Sequence, residues 1–258
     1  MDFAIERLDE AIAIIQSDNV DADYQAVIPG VSFNKARLLQ FANSMAARFL
    51  VNNARTVAEN NSTDWAKVKS YSESGLQEDL NVLYEEGWRG KVMTRDEGAN
   101  YLGLYNWGWI RANQWLINQM APEDPAAVYP WPTGVNRLGQ VLNCPDARLE
   151  KYFTWDSNPE AWFGWSRVTR AGYGYFIRCE YKYNRYYDII NAGDGYIGHF
   201  LKAENDLYLA EAKIRTGQVS GAAALINNTR VNVGTLEPAT DNDPDLLQKM
   251  FYERYVEC

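Results

Sequence analysis

The sequence has 258 residues, of which 47% are hydrophobic, and this is enough to bury a sizeable core in one large domain or two modest ones. The formal net charge is -9, which disfavours nucleic acid as a partner because Lys and Arg supply most of the affinity for phosphate. No apolar run approaches the roughly 20 residues that a membrane-spanning helix requires, so the sequence predicts no transmembrane segment.

The cysteines and the N-terminal residues say little about the cellular compartment. Cys144, Cys179 and Cys258 are odd in number, far apart and without metal-ligand spacing, so they predict neither a disulfide framework nor a metal site. The start, MDFAIERLDEAIAIIQ, lacks the basic front, apolar centre and cleavage site of a secretory signal. It is typical of an acidic amphipathic helix instead.

Three helices are predicted before residue 90. The first can begin at Asp2, and its apolar residues recur every three or four positions. These residues are Ile5, Leu8, Ile12 and Ile15. The second follows a cap region at Ser32 or Asn34, and the third is capped by Thr63 or Asp64 after a polar NNST loop.

Residues 101–187, the aromatic segment, differ from the predicted helical parts. They contain 20 of the 35 aromatic residues and seven of the nine tryptophans, mixed with Gly, Pro and Asn. A helix is predicted from Gly108 to Gln119, and turns are predicted at the PEDP, YPWP and NCPD stretches. Periodicity assigns no regular element to the rest, so we expect a loop-rich insertion.

The C-terminal part predicts a helix hairpin of the tetratricopeptide type. An apolar stripe runs from Phe200 to a stop at Thr216-Gly217, where glycine suits a left-handed cap, and a second stripe begins at Val219. Small side chains allow two antiparallel helices to approach closely. These are Ala210, Ala212, Ala222, Ala223 and Ala224. The N-terminal helices alternate small and large residues in the same way without a strict period, so we interpret them as degenerate repeats.

Three sequence blocks carry a family resemblance. The first is KARLLQFANSMAARFLVNNA followed by DWAKV, and the second is PDARLEKYF. The third and most specific is HFLKAENDLYLAEAKIRTGQVSGAAALINNTRVNVG with the later ERYVEC. In this order they resemble the paired repeat helices, the element after the loop-rich middle, and the final hairpin with its following helix in the SusD/RagB family of outer-membrane glycan-binding lipoproteins. Asn227 and Arg230 fall where the family has Asn and Arg.

Together the pattern and the resemblance predict an all-α fold. It comprises degenerate tetratricopeptide-like helix hairpins in an α-α superhelix, with a loop-rich aromatic insertion. We expect a single SusD-like domain over residues 1–258: repeat helices over 1–90, the irregular aromatic part over 91–199, and the hairpin with the start of the next helix over 200–258. The family's lipoprotein signal and C-terminal continuation are not in this sequence, so we expect an internal fragment or a truncated product of such a protein.

The resemblance implies a protein without catalytic activity at the bacterial cell surface. Members of the family capture oligosaccharides or peptides and pass them to a SusC-like TonB-dependent transporter. The resemblance also implies a lipid anchor in the outer membrane for the intact parent protein. The motifs of the sequence predict no cofactor and no metal-ligand residues, and they leave open a calcium ion held by irregular loops.

The chemistry of sugar capture points to the aromatic segment. A Trp or Tyr ring covers the flat C–H face of a pyranose, and neighbouring polar groups bond to its hydroxyls. The aromatic candidates are Trp131, Trp155, Trp162, Trp165, Tyr173 and Tyr175, and the polar candidates are Asn158, Arg167 and Arg170. Aromatic residues in a loop-rich segment also build its core, and we expect most of them to serve in packing.

Two other motifs are weaker. GDGYIG satisfies G-x-G-x-x-G after a strand-like YYDII run, but no strand with a terminal acid follows, so we interpret the glycines as a flexible lead-in to the hairpin. DNDPD has alternating acids, yet Leu246 and Tyr252 stand where an EF-hand has Gly and Glu. Asp243-Pro244 instead predicts a helix cap with Pro at the first helical position.

Two further functions stay open at this point. A helical-repeat module that binds a protein partner would need no sugar site. A glycoside hydrolase would need a pair of carboxylates, for which Asp156 and Glu160 are candidates among the tryptophans. His199, the single histidine, is interpreted as structural rather than as part of a catalytic triad.

Overall fold

Helices account for most of the chain that the computed structural model describes, and a few short strands lie between them. The described residues are 2–17, 28–84, 112, 114–121, 141–155, 181–192 and 195–258. The helices are α1 Asp2–Ser17, α2 Lys35–Asn53, α3 Val57–Ser62, α4 Trp65–Glu73, α5 Gln114–Met120, α6 Arg148–Tyr152, α7 Tyr187–Ala192, α8 Lys202–Arg215, α9 Ala222–Arg230 and α10 Leu246–Glu257. The strands are β1 Leu80–Tyr84, β2 Phe153–Trp155, β3 Tyr181–Tyr183 and β4 Gly195–Phe200.

The chain divides into two compact units. The first comprises Met1–Leu83, Gly198–Asn232 and Glu237–Cys258, and the second comprises Tyr84–Ile197 and Val233–Leu236. Strand β1 pairs with β4, and β2 pairs with β3, in two separate two-stranded sheets. The prediction of a mostly helical protein is confirmed, whereas the strands were not predicted.

Helix α2 begins where the sequence predicts it. Asn34 is the N-cap, and its side chain accepts a hydrogen bond of 2.9 Å from the Arg37 N–H. The buried face of α2 consists largely of small side chains, among them Ala42, Ala46 and Ala47. Small residues allow neighbouring helices to approach closely, and α2 packs against α1, α4 and α8.

A buried polar cluster joins α2, α8 and the end of α4. Ser44 Oγ donates to Asn205 Oδ1 over 2.9 Å and accepts from the Leu76 N–H over 2.8 Å. Asn205 Nδ2 donates to the Ser72 carbonyl over 2.9 Å. Gly75 packs so closely on the cluster that a Cβ atom there would lie 2.2 Å from Asn205 Oδ1. Because buried polar groups must find their partners, the cluster selects one arrangement of these helices.

Helices α8 and α9 form the predicted hairpin. Gly217 adopts φ 71°, the left-handed conformation expected at the end of α8. Eight buried residues form one apolar cluster with α10: Leu207, Ala210, Ala222, Ala223, Ile226, Ala239, Leu246 and Met250. Four of the eight are alanines, so the close approach predicted from small side chains is used here.

Buried carboxylates connect α10 to this hairpin. Glu211 of α8 is fully buried, and its carboxylate accepts from Arg254 Nη1 over 2.5 Å and lies 3.3 Å from Arg215 Nη2. Glu253 of α10 is also fully buried and lies 3.6 Å from Arg230 Nη1. A buried carboxylate is costly unless it is paired. The three helices therefore have to pack together for these charges to be satisfied.

The segment between α9 and α10 is fastened by side chains of α9. The Asn227 amide exchanges two hydrogen bonds with the Ala239 backbone, of 2.9 and 2.8 Å. Arg230 Nε donates to the Glu237 carbonyl over 2.6 Å. Asn227 and Arg230 therefore have structural roles in this chain.

In the second unit, a buried ion pair organises the turn before α6. Arg148 donates to both carboxylate oxygens of Asp146, and both side chains are fully buried. The same carboxylate accepts from the Arg148 backbone N–H over 2.8 Å. The adjacent Ala147 N–H donates to the Gly234 carbonyl over 3.0 Å. The PDARL block thus positions α6 and the strand β2 that follows it.

Two short helices differ from the sequence predictions. The prediction of a loop over NNST is wrong in part, because Val57–Ser62 is helical and only Thr63 lies outside the helix. Thr56 and Glu59 form a reciprocal capping box, and the sequence T-V-A-E encodes it. The strand suggested by the YYDII run is also wrong, since Tyr187–Ala192 is helix α7. The Tyr187 N–H at the start of this helix donates to the Asn184 carbonyl.

The starts of α9 and α10 lie later than predicted. Gly221 adopts φ 80°, so α9 begins at Ala222 instead of Val219. Its N-cap function is supplied from a distance by Asp241, whose carboxylate accepts from the Gly221 and Ala223 N–H groups over 2.8 Å each. Helix α10 begins at Leu246 rather than at Pro244, because the Asp243 carboxylate binds the Lys249 ammonium and does not cap a helix at Pro244.

Candidate ligand-binding site

Of the nine residues predicted to bind a ligand, the structure describes one, Trp155. It ends strand β2, directly after helix α6, and pairs with Tyr181 at the start of β3. The other predicted residues lie outside the described part of the chain: Trp131, Asn158, Trp162, Trp165, Arg167, Arg170, Tyr173 and Tyr175. For these eight residues the sequence prediction stays a prediction, and the same holds for Asp156 and Glu160.

Strands β2 and β3 form an antiparallel ribbon. Its register pairs Phe153 with Tyr183, Thr154 with Lys182, and Trp155 with Tyr181. Side chains alternate along a strand, and directly paired residues share a side of the sheet. One side therefore carries four rings, which we name the aromatic face: Phe153, Trp155, Tyr181 and Tyr183. The opposite side carries Thr154 and Lys182.

Part of the aromatic face is core. Phe153 and Tyr181 are buried. The Tyr181 hydroxyl accepts from the Leu142 N–H over 3.0 Å, and its carbonyl accepts from the Ala112 N–H over 2.7 Å. These two rings therefore support the face, while Trp155 and Tyr183 are half-buried and partly accessible to solvent.

The Trp155 indole has an unusual polar atom. Its Nε1 is buried and donates to no acceptor within the part of the chain that the structure describes. Trp65 of the helical unit shows the ordinary arrangement, since its Nε1 donates to the Asn60 carbonyl over 3.0 Å. An unmet buried donor costs free energy, roughly 1–3 kcal/mol.

The aromatic face continues into residues that the sequence analysis missed. The Phe153 and Tyr183 ring centroids are 5.8 Å apart, and those of Tyr183 and Tyr186 are 6.3 Å apart, both with edge-to-face geometry. The Arg185 guanidinium lies 4.4 Å from the Tyr152 ring centroid and 5.7 Å from that of Tyr186. The alternation of aromatic and basic residues in YKYNRYY was the available signal for these contacts.

The acidic DNDPD loop has protein partners for its carboxylates. Hydrogen bonds from the Ala223 and Gly221 N–H groups hold the pKa of Asp241 below its usual range. The Lys249 ammonium lies 2.6 Å from Asp243 and 3.1 Å from Asp245, and it lowers the pKa of Asp243 strongly. A lysine thus holds the position between these acids that a bound cation would need.

The remaining motif residues have geometries unlike those of a cofactor site. The last four residues of GDGYIG lie in strand β4, whereas a dinucleotide motif opens a helix at its glycines. The flexible lead-in predicted for these glycines is therefore wrong for Gly195–Gly198. His199 lies exposed on the same strand. Among the described residues, no three His, Cys, Asp or Glu side chains are grouped so that they would hold a metal ion.

Among the described helices of the chain, none is both long and apolar enough to cross a bilayer. Comparisons of the chain with protein-family models, with curated proteins and with solved structures found no match.

Proposed function

We propose that this protein captures oligosaccharides without cleaving them, as a SusD/RagB-like nutrient-binding protein. The observation that carries the proposal is the aromatic face, with the partly accessible rings of Trp155 and Tyr183 on a buried support. Stacking on such rings buries the C–H face of a sugar, at about 25 cal/mol for each Å² of apolar area. A preformed surface keeps the ordering cost of binding small.

The family motif is supported by the roles of its residues. Glu211, Arg215 and Arg254 form one charge cluster, while Arg230 lies beside Glu253. These five residues belong to separate parts of the most specific block, AEAKIR, INNTR and ERYVEC. Their pairing gives the motif a physical reason, namely that α8, α9 and α10 have to pack as one body. We propose on this basis a tetratricopeptide-like α-α superhelix for the helical scaffold.

The partner and the location follow from the same resemblance. Under the proposed function, the protein is lipid-anchored at the outer membrane beside a SusC-like TonB-dependent transporter, which imports the captured ligand.

Calorimetric titration with a panel of soluble oligosaccharides, together with an assay for released reducing ends, tests the proposal. We expect saturable binding by at least one oligosaccharide, no release of reducing ends, and loss of binding in Trp155→Ala. Trp65→Phe is the matched control, because Trp65 is a buried tryptophan of the helical unit with a satisfied N–H.

Each alternative function has its own result in this experiment. Release of reducing ends that stops in Asp156→Asn or Glu160→Gln would replace capture by hydrolysis. Absence of binding to every sugar by the folded protein would favour the helical-repeat module that binds a protein partner.

A further inference from the structure

Helix α1 has an exposed face with apolar side chains on it. The helix packs against α2, and Ile5 on that side is buried. On the other side Phe3 is 70% exposed and Ile14 is 59% exposed. Single exposed apolar residues are common in proteins, but these two share one line along the helix with a pair of charged residues. We name the four residues of this line the outer stripe: Phe3, Arg7, Glu10 and Ile14.

The spacing of the outer stripe is that of a helix-pairing seam. Its residues are separated by four, three and four positions. Alternating steps of three and four give the period of 3.5 with which two helices pack along their length. The Arg7 guanidinium lies 2.6 Å from the Glu10 carboxylate and 5.1 Å from the Phe3 ring centroid, so these side chains extend along the stripe. The stripe covers about 16 Å of the helix at 1.5 Å per residue.

The outer stripe is self-complementary. It reads apolar, cation, anion, apolar, and its residues lie symmetrically about the midpoint between positions 8 and 9. A two-fold axis at this midpoint would bring two copies of α1 together in antiparallel direction. Phe3 then faces Ile14 of the second copy, and Arg7 faces Glu10 of the second copy. Both apolar residues gain apolar partners, and both charges of the stripe face their opposites.

The residues beside the stripe permit close approach in the same register. Ala4 would face Ala13 of the second copy, and Glu6 would face Ala11 of the second copy. Small side chains allow two helix axes to approach. The alanine opposite Glu6 leaves its longer side chain room to extend into solvent.

We propose that the outer stripe binds a second copy of this chain, so that two α1 helices pair in antiparallel direction about a two-fold axis. Contact between Phe3 and Ile14 buries apolar area that is exposed in the single chain. The two Arg7 and two Glu10 side chains form one network of alternating charge, which fixes direction and register. This inference is independent of sugar capture.

The size of the stripe predicts a weak and reversible dimer. Stable complexes bury roughly 1,200–2,000 Å² of surface, and four side chains on three turns of helix provide less. We therefore expect a dissociation constant roughly between micromolar and millimolar. Sedimentation velocity of the whole protein from about 10 μM to about 1 mM covers this range. The sedimentation coefficient is expected to rise from the value of a monomer to that of a dimer.

Two charge-reversal variants test the pairing. Arg7→Glu and Glu10→Arg, each alone, are expected to weaken dimerisation at least about tenfold, because each turns both facing ion pairs into like-charge pairs. An equimolar mixture of the two variants is expected to dimerise about as well as the wild type, since unlike chains again bring opposite charges together. Damage to the fold would not be repaired by mixing, and circular dichroism of each variant checks the helices.

The control is an ion pair on another helix. Glu73 pairs with Lys69 on α4, and its side chain is 46% exposed, close to the 54% of Glu10. Glu73→Lys is expected to keep the dimerisation of the wild type.

Three results would overturn the inference. The first is a monomer at every concentration. The second is a dimer that both single variants leave unchanged, because another surface would then hold it. The third is a mixture of Arg7→Glu and Glu10→Arg that stays monomeric at concentrations where the wild type dimerises.

Discussion

Replacement of Gly75 by Ala tests the packing of the helical unit. A Cβ atom at this position would lie 2.2 Å from Asn205 Oδ1 and 2.5 Å from Ser44 Oγ. These distances are far shorter than van der Waals contact, so the two side chains would have to move. Both belong to the buried polar cluster, where Ser44 binds Asn205 and the Leu76 N–H.

The expected loss of stability follows from the two consequences of that movement. Overpacking of a filled core costs about 1–3 kcal/mol. Displacement of Asn205 also breaks its hydrogen bonds to Ser44 and Ser72, and each buried group left unmet costs roughly 1–3 kcal/mol. We expect a decrease of about 3–5 kcal/mol in the free energy of unfolding, which is a large part of the 5–15 kcal/mol typical of a protein.

Urea unfolding followed by far-ultraviolet circular dichroism measures this decrease. Gly217→Ala is the control, since a Cβ there meets open space and its φ of 71° costs only about 1–2 kcal/mol. The double variant Gly75→Ala/Asn205→Ala is expected to lose less than the sum of the single variants, because removal of Asn205 relieves the clash. A Gly75→Ala protein as stable as wild type, or strictly additive losses, would refute the proposed packing.

Three further predictions concern the hairpin and the aromatic face. Glu211→Gln leaves Arg254 without its buried charged partner and should lower the free energy of unfolding, measured in urea, by about 3–5 kcal/mol. The control Glu10→Gln, at an exposed ion pair, should lower it by less than about 1 kcal/mol. Equal losses in the two variants would contradict the burial argument. Asp241→Ala should cost about 1 kcal/mol at neutral pH as a lost cap. The folded state lowers the pKa of Asp241, so its contribution is present above the unfolded pKa and is lost as the pH falls; the wild type and Asp241→Ala should therefore converge in acid, and a constant difference would contradict this. In calorimetry, Trp155→Phe should bind oligosaccharide with an affinity between those of wild type and Trp155→Ala, because a smaller aromatic ring is kept on the aromatic face. An affinity as low as that of Trp155→Ala would argue against stacking on this ring.

Helices were predictable where local sequence signals decide them. Asn34 and Asp64 cap α2 and α4 as expected, and Gly217 ends α8 in the left-handed conformation. Each signal acts within three or four residues, so it can be found in the sequence alone. The capping box of Thr56 and Glu59 was equally local, and it was overlooked because asparagines suggested a loop.

The start of α9 was not predictable because its cap is remote. Asp241 caps this helix from a position 20 residues beyond Gly221, and no local pattern marks that pairing. The strands β2 and β3 are only three residues each, and they are joined across the segment from 156 to 180. Three residues are too few for an alternating pattern to be recognised. Tertiary pairing therefore defines these elements.

Of the candidate site, the sequence indicated the aromatic segment as a whole and one described residue, Trp155. The concentration of tryptophan and tyrosine indicated the aromatic segment, and Trp155 lies on the aromatic face. Tyr183 and Arg185 were missed, because their role depends on strand register and ring stacking. Those contacts arise only when the ribbon forms.

Hydrogen exchange with and without a bound oligosaccharide tests the account most directly, since it reports where the ligand binds. Peptides that cover the ribbon, with Phe153–Trp155 and Tyr181–Tyr183, are expected to exchange more slowly in the complex. Peptides of α8, α9 and α10 are expected to exchange at unchanged rates. Slower exchange confined to those helices, with an unaffected ribbon, would contradict capture by the aromatic face.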